Sequence, residues 1–192
     1  MADRLKGRRV AFIVSSEGIE QAELTSPWDT VKKEGGQPVL VSTQPGTVQA
    51  FKHLDKADTF PVDITTQDAS LDQFDGVVVP GGVANADALR MDKDAVALVR
   101  DALDRGLPTA IICHGPWAAV EADRVRGRTL TSWPSLQTDI RNAGGTWVDE
   151  QVRVCTSGPG PLVTSRKPDD LPAFCAKIVE YFAGAAADRR AS

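Results

Sequence analysis

The chemistry in this chain gathers where an apolar run ends in a thiol. Pro108–Cys113 reads PTAIIC and passes straight into His114, Gly115 and Pro116. A nucleophile at the end of a buried strand, turned sharply into a helix, projects beside the unpaired N–H groups of the helix N-terminus. Those donors and the helix dipole favour an anion, so this position predicts a thiol lowered from its ordinary value. Gly115 keeps the approach clear, and Pro116 suits a first helical turn, where no donor is lost. The competing reading is a small apolar core residue, the commonest use of a free cysteine. His114 is a candidate base, although neighbours on a strand point opposite ways and only a tight turn brings both to one cleft. Pro80-Gly81-Gly82 ends a second apolar run, Gly76–Pro80. An N–H from Gly81–Gly82 and the N–H of His114 together are candidate donors to a developing oxyanion.

Such a turn needs a rigid scaffold, and the pattern supplies one. Val10–Val14, Pro38–Ser42, Gly76–Pro80 and Pro108–Cys113 are continuous apolar runs, the signature of parallel strands buried on both faces. Helical stretches alternate with them, from about Ile19 to Glu34, stopped by Gly35-Gly36, and from Asp94 to Arg105, with Val96, Val99 and Leu103 on one face. Weak extended pieces fill Thr43–Gln73. A helix is expected after Pro116, another at Ser135–Asn142, strands near Thr146–Val148, Val152–Cys155 and Leu162–Ser165, and a last helix from about Asp169 to Phe182. This is an α/β chain, a doubly wound sandwich with a mostly parallel central sheet, whose reactive groups belong at the carboxyl ends of strands. One domain over residues 7–184 is expected, with flexible tails at 1–6 and 185–192.

Composition removes whole classes of function. The chain has 192 residues, is 42% hydrophobic and 25% charged, and carries a formal net charge of −4. A mildly acidic balance disfavours nucleic-acid binding, and no apolar run approaches the ~20 residues of a membrane span. Three cysteines (Cys113, Cys155, Cys175) lack the spacing of a disulfide framework or a zinc site. Cys155 and Cys175 read as packing residues. With two histidines and no carboxylate cluster around them, no metal and no cofactor are expected. The default is a reduced, cytoplasmic protein.

AIICHGPW, VVVPGG some thirty residues earlier and EQAELTSPWD after the first strand resemble the PfpI/ThiJ family, within the class I glutamine-amidotransferase-like superfamily. RGRTLTSWPSLQTDIRNAGGTWVDEQV and LVTSRKPDDLPAF are similar to its PfpI-type bacterial stress-protein branch. The resemblance implies a flavodoxin-like sandwich with Cys113 as an elbow nucleophile, and a homo-oligomer, dimer or hexamer. It also implies that Glu23 is the buried acid beside the thiol, sharing a proton with it because two adjacent buried anions repel. Glu20 lies three residues away, able to share a helix face. PfpI-type peptidases use a further Glu; its position here falls on Ala86, with Asp87 next to it, so a Cys113–His114–Asp87 triad would need a shifted loop and a neighbouring subunit. His53 resembles a segment near the site's mouth, or is an exposed loop histidine. Trp117 and Trp133 are pocket walls or core.

The implied activities are stress-protective. A Cys113 thiolate adds to a reactive carbonyl or glycated protein, as a deglycase or in glyoxalase-III-like conversion of a 2-oxoaldehyde. The alternatives are a cysteine peptidase, or a noncatalytic redox-sensing or holdase protein. Glutamine amidotransfer is disfavoured because no histidine follows His114.

Overall fold

The computed structural model describes residues 3–190, with side chains through Gly184. Residues 1–2 and 191–192, parts of the expected tails, lie outside the described residues. The first half runs β1 (Arg9–Val14), β2 (Glu17–Glu20), α1 (Gln21–Lys33), β3 (Gln37–Ser42), β4 (Thr47–Lys52), β5 (Asp55–Pro61), β6 (Ile64–Thr65) and β7 (Gly76–Val79). Then come α2 (Val83–Met91), α3 (Lys93–Asp104), β8 (Thr109–Ile112), α4 (Pro116–Glu121), β9 (Thr129–Leu130) and α5 (Gln137–Asn142). The chain closes with β10 (Thr146–Trp147), β11 (Val152–Cys155), β12 (Leu162–Ser165) and α6 (Leu171–Arg190).

Seven strands form the central sheet in the order β11-β12-β8-β7-β1-β3-β6. Every pairing in it is parallel except that of β11 with β12. Alternate side chains of these strands enter two separate apolar layers, as strand geometry requires. Ala11, Ile13, Val77, Val79 and Ile111 join Leu89, Val99 and Leu103 of α2 and α3 on one face. Phe12, Val14, Val78, Ile112 and Cys113 join Leu24 and Val31 of α1 and Phe174 and Ile178 of α6 on the other. The expected α/β sandwich is therefore present, with helices on both faces. A smaller sheet, β2-β4-β5, stands beside it.

Four local expectations are corrected. Ile19–Glu20 is extended rather than helical, as part of β2, because Gly18 takes φ 86° and β2 pairs with β4. A helix forms over Val83–Met91, where the apolar stripe is weak but Ala, Leu, Arg and Met favour helix. Leu5, in the stretch expected to be a flexible tail, is buried, and its N–H donates to Glu34 O at 2.8 Å. The last helix continues past Phe182 to Arg190, through an alanine-rich segment expected to be frayed.

Phe12 lies at the centre of β1 with no exposure, its ring edge-on to Trp28 at 5.1 Å. Phe12→Ala is expected to remove about 3–5 kcal/mol of stability. Denaturant unfolding checks this, and a loss under about 1 kcal/mol would mean the layer refills the space.

Candidate active site

The carboxyl ends of β7 and β8, adjacent central strands, carry the two turns that matter. Cys113 follows β8 with φ 62°, a left-handed conformation that L side chains avoid. Its surroundings hold it there. Its N–H donates to Ser165 O at 3.0 Å, and its carbonyl accepts from Trp133 N–H at 2.8 Å. Gly115 N–H turns back to Ile112 O at 2.9 Å. A Cβ on Gly115 would stand 2.9 Å from both Ile112 O and Val79 O, so only glycine passes the elbow between the strands.

At the end of β7 the second turn presses against the thiol. A Cβ on Gly81 would lie 2.3 Å from Glu23 Oε2 and 2.5 Å from Cys113 Cβ. The absence of a side chain at Gly81 is what lets acid and thiol meet. Gly81 N–H donates to Glu23 Oε2 at 2.9 Å, while Gly82 and His114 line the cleft beside Cys113, where their N–H groups pull its thiol down. Of the glycine pair expected to offer an oxyanion donor, Gly81 spends its N–H on the Glu23 carboxyl, and Gly82 lines the cleft.

Glu23 is completely buried, its carboxyl beside the Cys113 side chain across Gly81. Burial pushes its carboxyl up to about 8, helped by the charge of Glu20 and opposed by the bonds to Cys113 and Gly81. Its Oε1 is buried with no partner of good geometry. That vacancy suits a neutral carboxyl better than a carboxylate, which accepts several bonds. The thiol departs from expectation. Burial, and then an ionised Glu23, push Cys113 up, whereas the N–H groups of Gly82 and His114 pull it down. The helix expected to lower it, α4, is only six residues long, so its dipole is small and desolvation wins. At neutral pH Glu23 keeps its proton, so the carboxylate contribution is absent there.

His114 Nδ1 lies 3.2 Å from Cys113 Sγ, so the elbow does bring the two neighbours together. Burial lowers the imidazole below its ordinary value, which leaves it neutral and able to accept a proton at physiological pH. Trp133 stacks on its ring at 5.7 Å. Trp117, expected in the pocket, instead meets His114 edge-on at 5.5 Å and donates its indole N–H to Asp139 at 2.8 Å. It does not line the cleft.

The cleft above the sulfur has a volume of about 170 Å³ and is walled by Glu20, His53, Val83, Trp133 and Pro168. Cys113 is 6% exposed at its floor. Glu20, which also read as a solvated charge, has a 13% exposed side chain. Its Oε2 accepts from His53 N–H at 3.0 Å, tying the β4–β5 hairpin to the end of β2. His53 sits at the hairpin tip with φ 58° and its ring at the mouth, 89% exposed. Asp87 is not brought in. It stands exposed on α2 outside the cleft, and Ala86 beside it is buried. Among the described residues no carboxylate contacts His114, and no group of three His, Cys, Asp or Glu gathers to hold a metal ion. Asn85 was missed: it is fully buried and hydrogen-bonds both the end of β1 and the Pro80–Gly81 turn. Nothing in the sequence distinguishes it from a solvated helix asparagine.

This architecture is shared. The chain matches the DJ-1/PfpI family over residues 8–181 and belongs to it. It is 36% identical to "Protein/nucleic acid deglycase 2" of Escherichia coli over 167 residues, 87% of this chain and 93% of that protein. It is 34% identical to "Deglycase PfpI" of Pyrococcus furiosus over 172 residues, 90% of this chain and 98% of that protein. Among solved structures, Drosophila melanogaster DJ-1beta superposes with a TM-score of 0.80 at 25% identity, covering 96% of this chain and 92% of that one. A two-domain protein of Anabaena variabilis, with DJ-1/ThiJ/PfpI-like and ferritin-like domains, gives 0.82 at 30% identity. There the match covers 90% of this chain and 47% of the other.

The buried acid gives a prediction for stability. Folded Glu23 titrates near 8 but near 4.5 in the unfolded chain, so between these values the folded state holds the extra proton. Stability from this group is thus full below pH about 4.5 and lost as pH rises toward 8, by about 1.4 kcal/mol per unit. Glu23→Gln is expected to flatten that slope, as read from denaturant unfolding between pH 5 and 8. An unchanged slope in the variant would place the proton elsewhere.

Proposed function

We propose that this protein is a cofactor-independent deglycase, releasing early adducts of 2-oxoaldehydes from amines, with Cys113 as nucleophile. The observation that carries the reading is the sulfur on a strained elbow, 3.2 Å from the Nδ1 of a neutral histidine and beside a protonated carboxyl. Relatives named as deglycases, at 34–36% identity over most of the chain, support it. So does a cleft of about 170 Å³, suited to a three-carbon adduct on a side chain that reaches in.

The raised thiol makes the proton transfer part of the attack. His114 takes the thiol proton as Sγ bonds to the carbinol carbon. The C–N bond breaks, and the amine leaves with that proton. The resulting hemithioacetal rearranges when the proton on its carbon moves to the neighbouring carbonyl carbon, carried by His114 or Glu23. The oxyanion formed on the way faces the N–H groups of Gly82 and His114. The product is a thioester, which water hydrolyses to a hydroxy acid and free Cys113. A free 2-oxoaldehyde enters the same sequence by direct addition of the thiol, the glyoxalase-III-like reaction.

The relay makes no use of an acid on His114, which favours it over the peptidase alternative. That reading needs Asp87 or another carboxylate delivered by a second subunit. We further take the protein to act in the cytoplasm as a homo-oligomer, dimer or hexamer. Leu54, 87% exposed, and Val83, 49% exposed, supply apolar surface at the cleft's rim for a second copy. Among the described residues no helix is long and apolar enough to cross a membrane.

The test follows amine release from methylglyoxal-modified N-acetyllysine. Cys113→Ala is expected to lower kcat/KM by more than about a thousandfold, and His114→Gln by roughly a hundredfold or more. Because the base must be neutral and burial lowers it, the acid limb of the rate should fall below the ordinary histidine range. Turnover that survives in Cys113→Ala sinks the proposal.

A further inference from the structure

Asn85 makes contacts that reach the thiol without touching it. Its side-chain Oδ1 accepts from Ser15 N–H at 2.8 Å and lies 3.1 Å from Ser15 Oγ, at the end of β1. Its Nδ2 donates to Pro80 O at 3.1 Å and to Gly81 O at 3.0 Å. Chemistry fixes the amide's orientation, because a flipped group would aim its oxygen at two carbonyls and its N–H₂ at the Ser15 N–H. The residue has no exposure, so water cannot substitute for any of these partners.

The two carbonyls are not arbitrary ones. Pro80 C=O shares its peptide unit with Gly81 N–H, which donates to Glu23 Oε2 at 2.9 Å. Gly81 C=O shares its unit with Gly82 N–H, in the turn that lines the cleft together with Cys113. In a trans peptide the C=O and N–H lie on opposite sides of one conjugated unit. A hydrogen bond accepted at the oxygen polarises the unit and strengthens its N–H as a donor. One buried amide therefore grips, from behind, both peptides whose front faces hold the acid and the thiol. Gly81 O also accepts from Glu20 N–H at 3.3 Å, the longer of its two bonds.

We propose that Asn85 is a positioning residue for the nucleophile, orienting and polarising the Pro80–Gly81 and Gly81–Gly82 peptides so that Gly81 N–H holds the Glu23 carboxyl in place and Gly82 N–H favours negative charge on Cys113. It touches no reacting atom and acts through Gly81 and Gly82. The inference rests on reading Cys113 as the nucleophile, but not on which carbonyl compound it attacks.

The experiment reads the sulfur directly, by the pH dependence of Cys113 alkylation with iodoacetamide in the folded protein. Cys155→Ser and Cys175→Ser backgrounds keep Cys113 as the sole reporter. The titratable groups facing Cys113 are Glu23 and Glu20 from the α1 side, His53 across the cleft and His114 beside it. All four stay intact. Asn85→Ala removes both donors and is expected to raise the alkylation midpoint by about one pH unit and to lower kcat roughly tenfold, with KM within about twofold. Asn85→Asp, the same size, keeps at most one donor when protonated and repels both carbonyls when ionised, so its midpoint also rises. Should Asn85→Ala not fold, Asn85→Asp carries the same test. Val99→Ala, a core truncation on α3, serves as a stability-matched control and should leave the midpoint where it was. Loss of stability in the Asn85 variants with the control's midpoint would overturn the proposal. Because alkylation needs no substrate, a protein with no deglycase activity would refute the function above while leaving this result readable.

Discussion

A carboxyl and a thiol, both withdrawn from water, are pressed together across a turn that has no side chain. A buried carboxylate beside a buried thiolate is prohibitively repulsive at low dielectric, so one proton must stay with the pair. Burial pushes both groups up, and it is stronger at the acid than the two bonds that oppose it. At neutral pH the acid therefore keeps its proton. The sulfur then faces a neutral acid on one side and a neutral imidazole on the other. The elbow backbone, the glycine turn and the fully buried Asn85 all hold that arrangement in place.

The strain at Cys113 is sustained because its neighbours leave it no alternative. A positive φ at a non-glycine residue costs of order 1–3 kcal/mol and persists only where the surroundings over-determine it. Here the elbow's N–H and C=O bond to two different segments, the end of β12 and the loop before α5. Both segments are tied down in turn. Ser165 Oγ donates to Gln151 O at the end of β12, and next to Trp133 the Trp147 indole N–H donates to Ser132 Oγ at 2.9 Å. The strand ends therefore serve as a frame, and the two apolar layers beneath them keep that frame rigid.

The surroundings of His114, two tryptophan rings and the Cys113 sulfur, shift weight toward chemistry that moves protons over short distances. Amide hydrolysis benefits from an oriented, more basic histidine, and among the described residues His114 meets one stacked and one edge-on tryptophan ring rather than a carboxylate. Two tryptophan rings desolvate the imidazole and lower it. A carbonyl adduct needs only a neutral acceptor at the sulfur and a nearby acid to return the proton, and both are within reach.

Much of this was legible in the linear chain. Unbroken β-branched apolar runs such as Val10–Val14, alternating with helical stretches, read as parallel strands buried on both faces, and that places reactive groups at their carboxyl ends. The run Pro108–Cys113, with its following glycine and proline, marked the elbow by the same logic. The direction of the thiol's shift was not legible, because it depends on how deeply the sulfur sinks and on how short α4 turns out to be. Trp117 read as a pocket wall or core residue until helix phase set it edge-on to the imidazole, while Asp87, expected to act only across a subunit boundary, stands exposed on α2. Asn85 was invisible for the opposite reason. Its importance lies wholly in which two carbonyls happen to stand within 3.1 Å of its nitrogen, and that follows from the packing of α2 against β1 and the β7 turn. Periodicity and turn chemistry are local and can be read along the chain. Burial and hydrogen-bond partnership are properties of the packed whole.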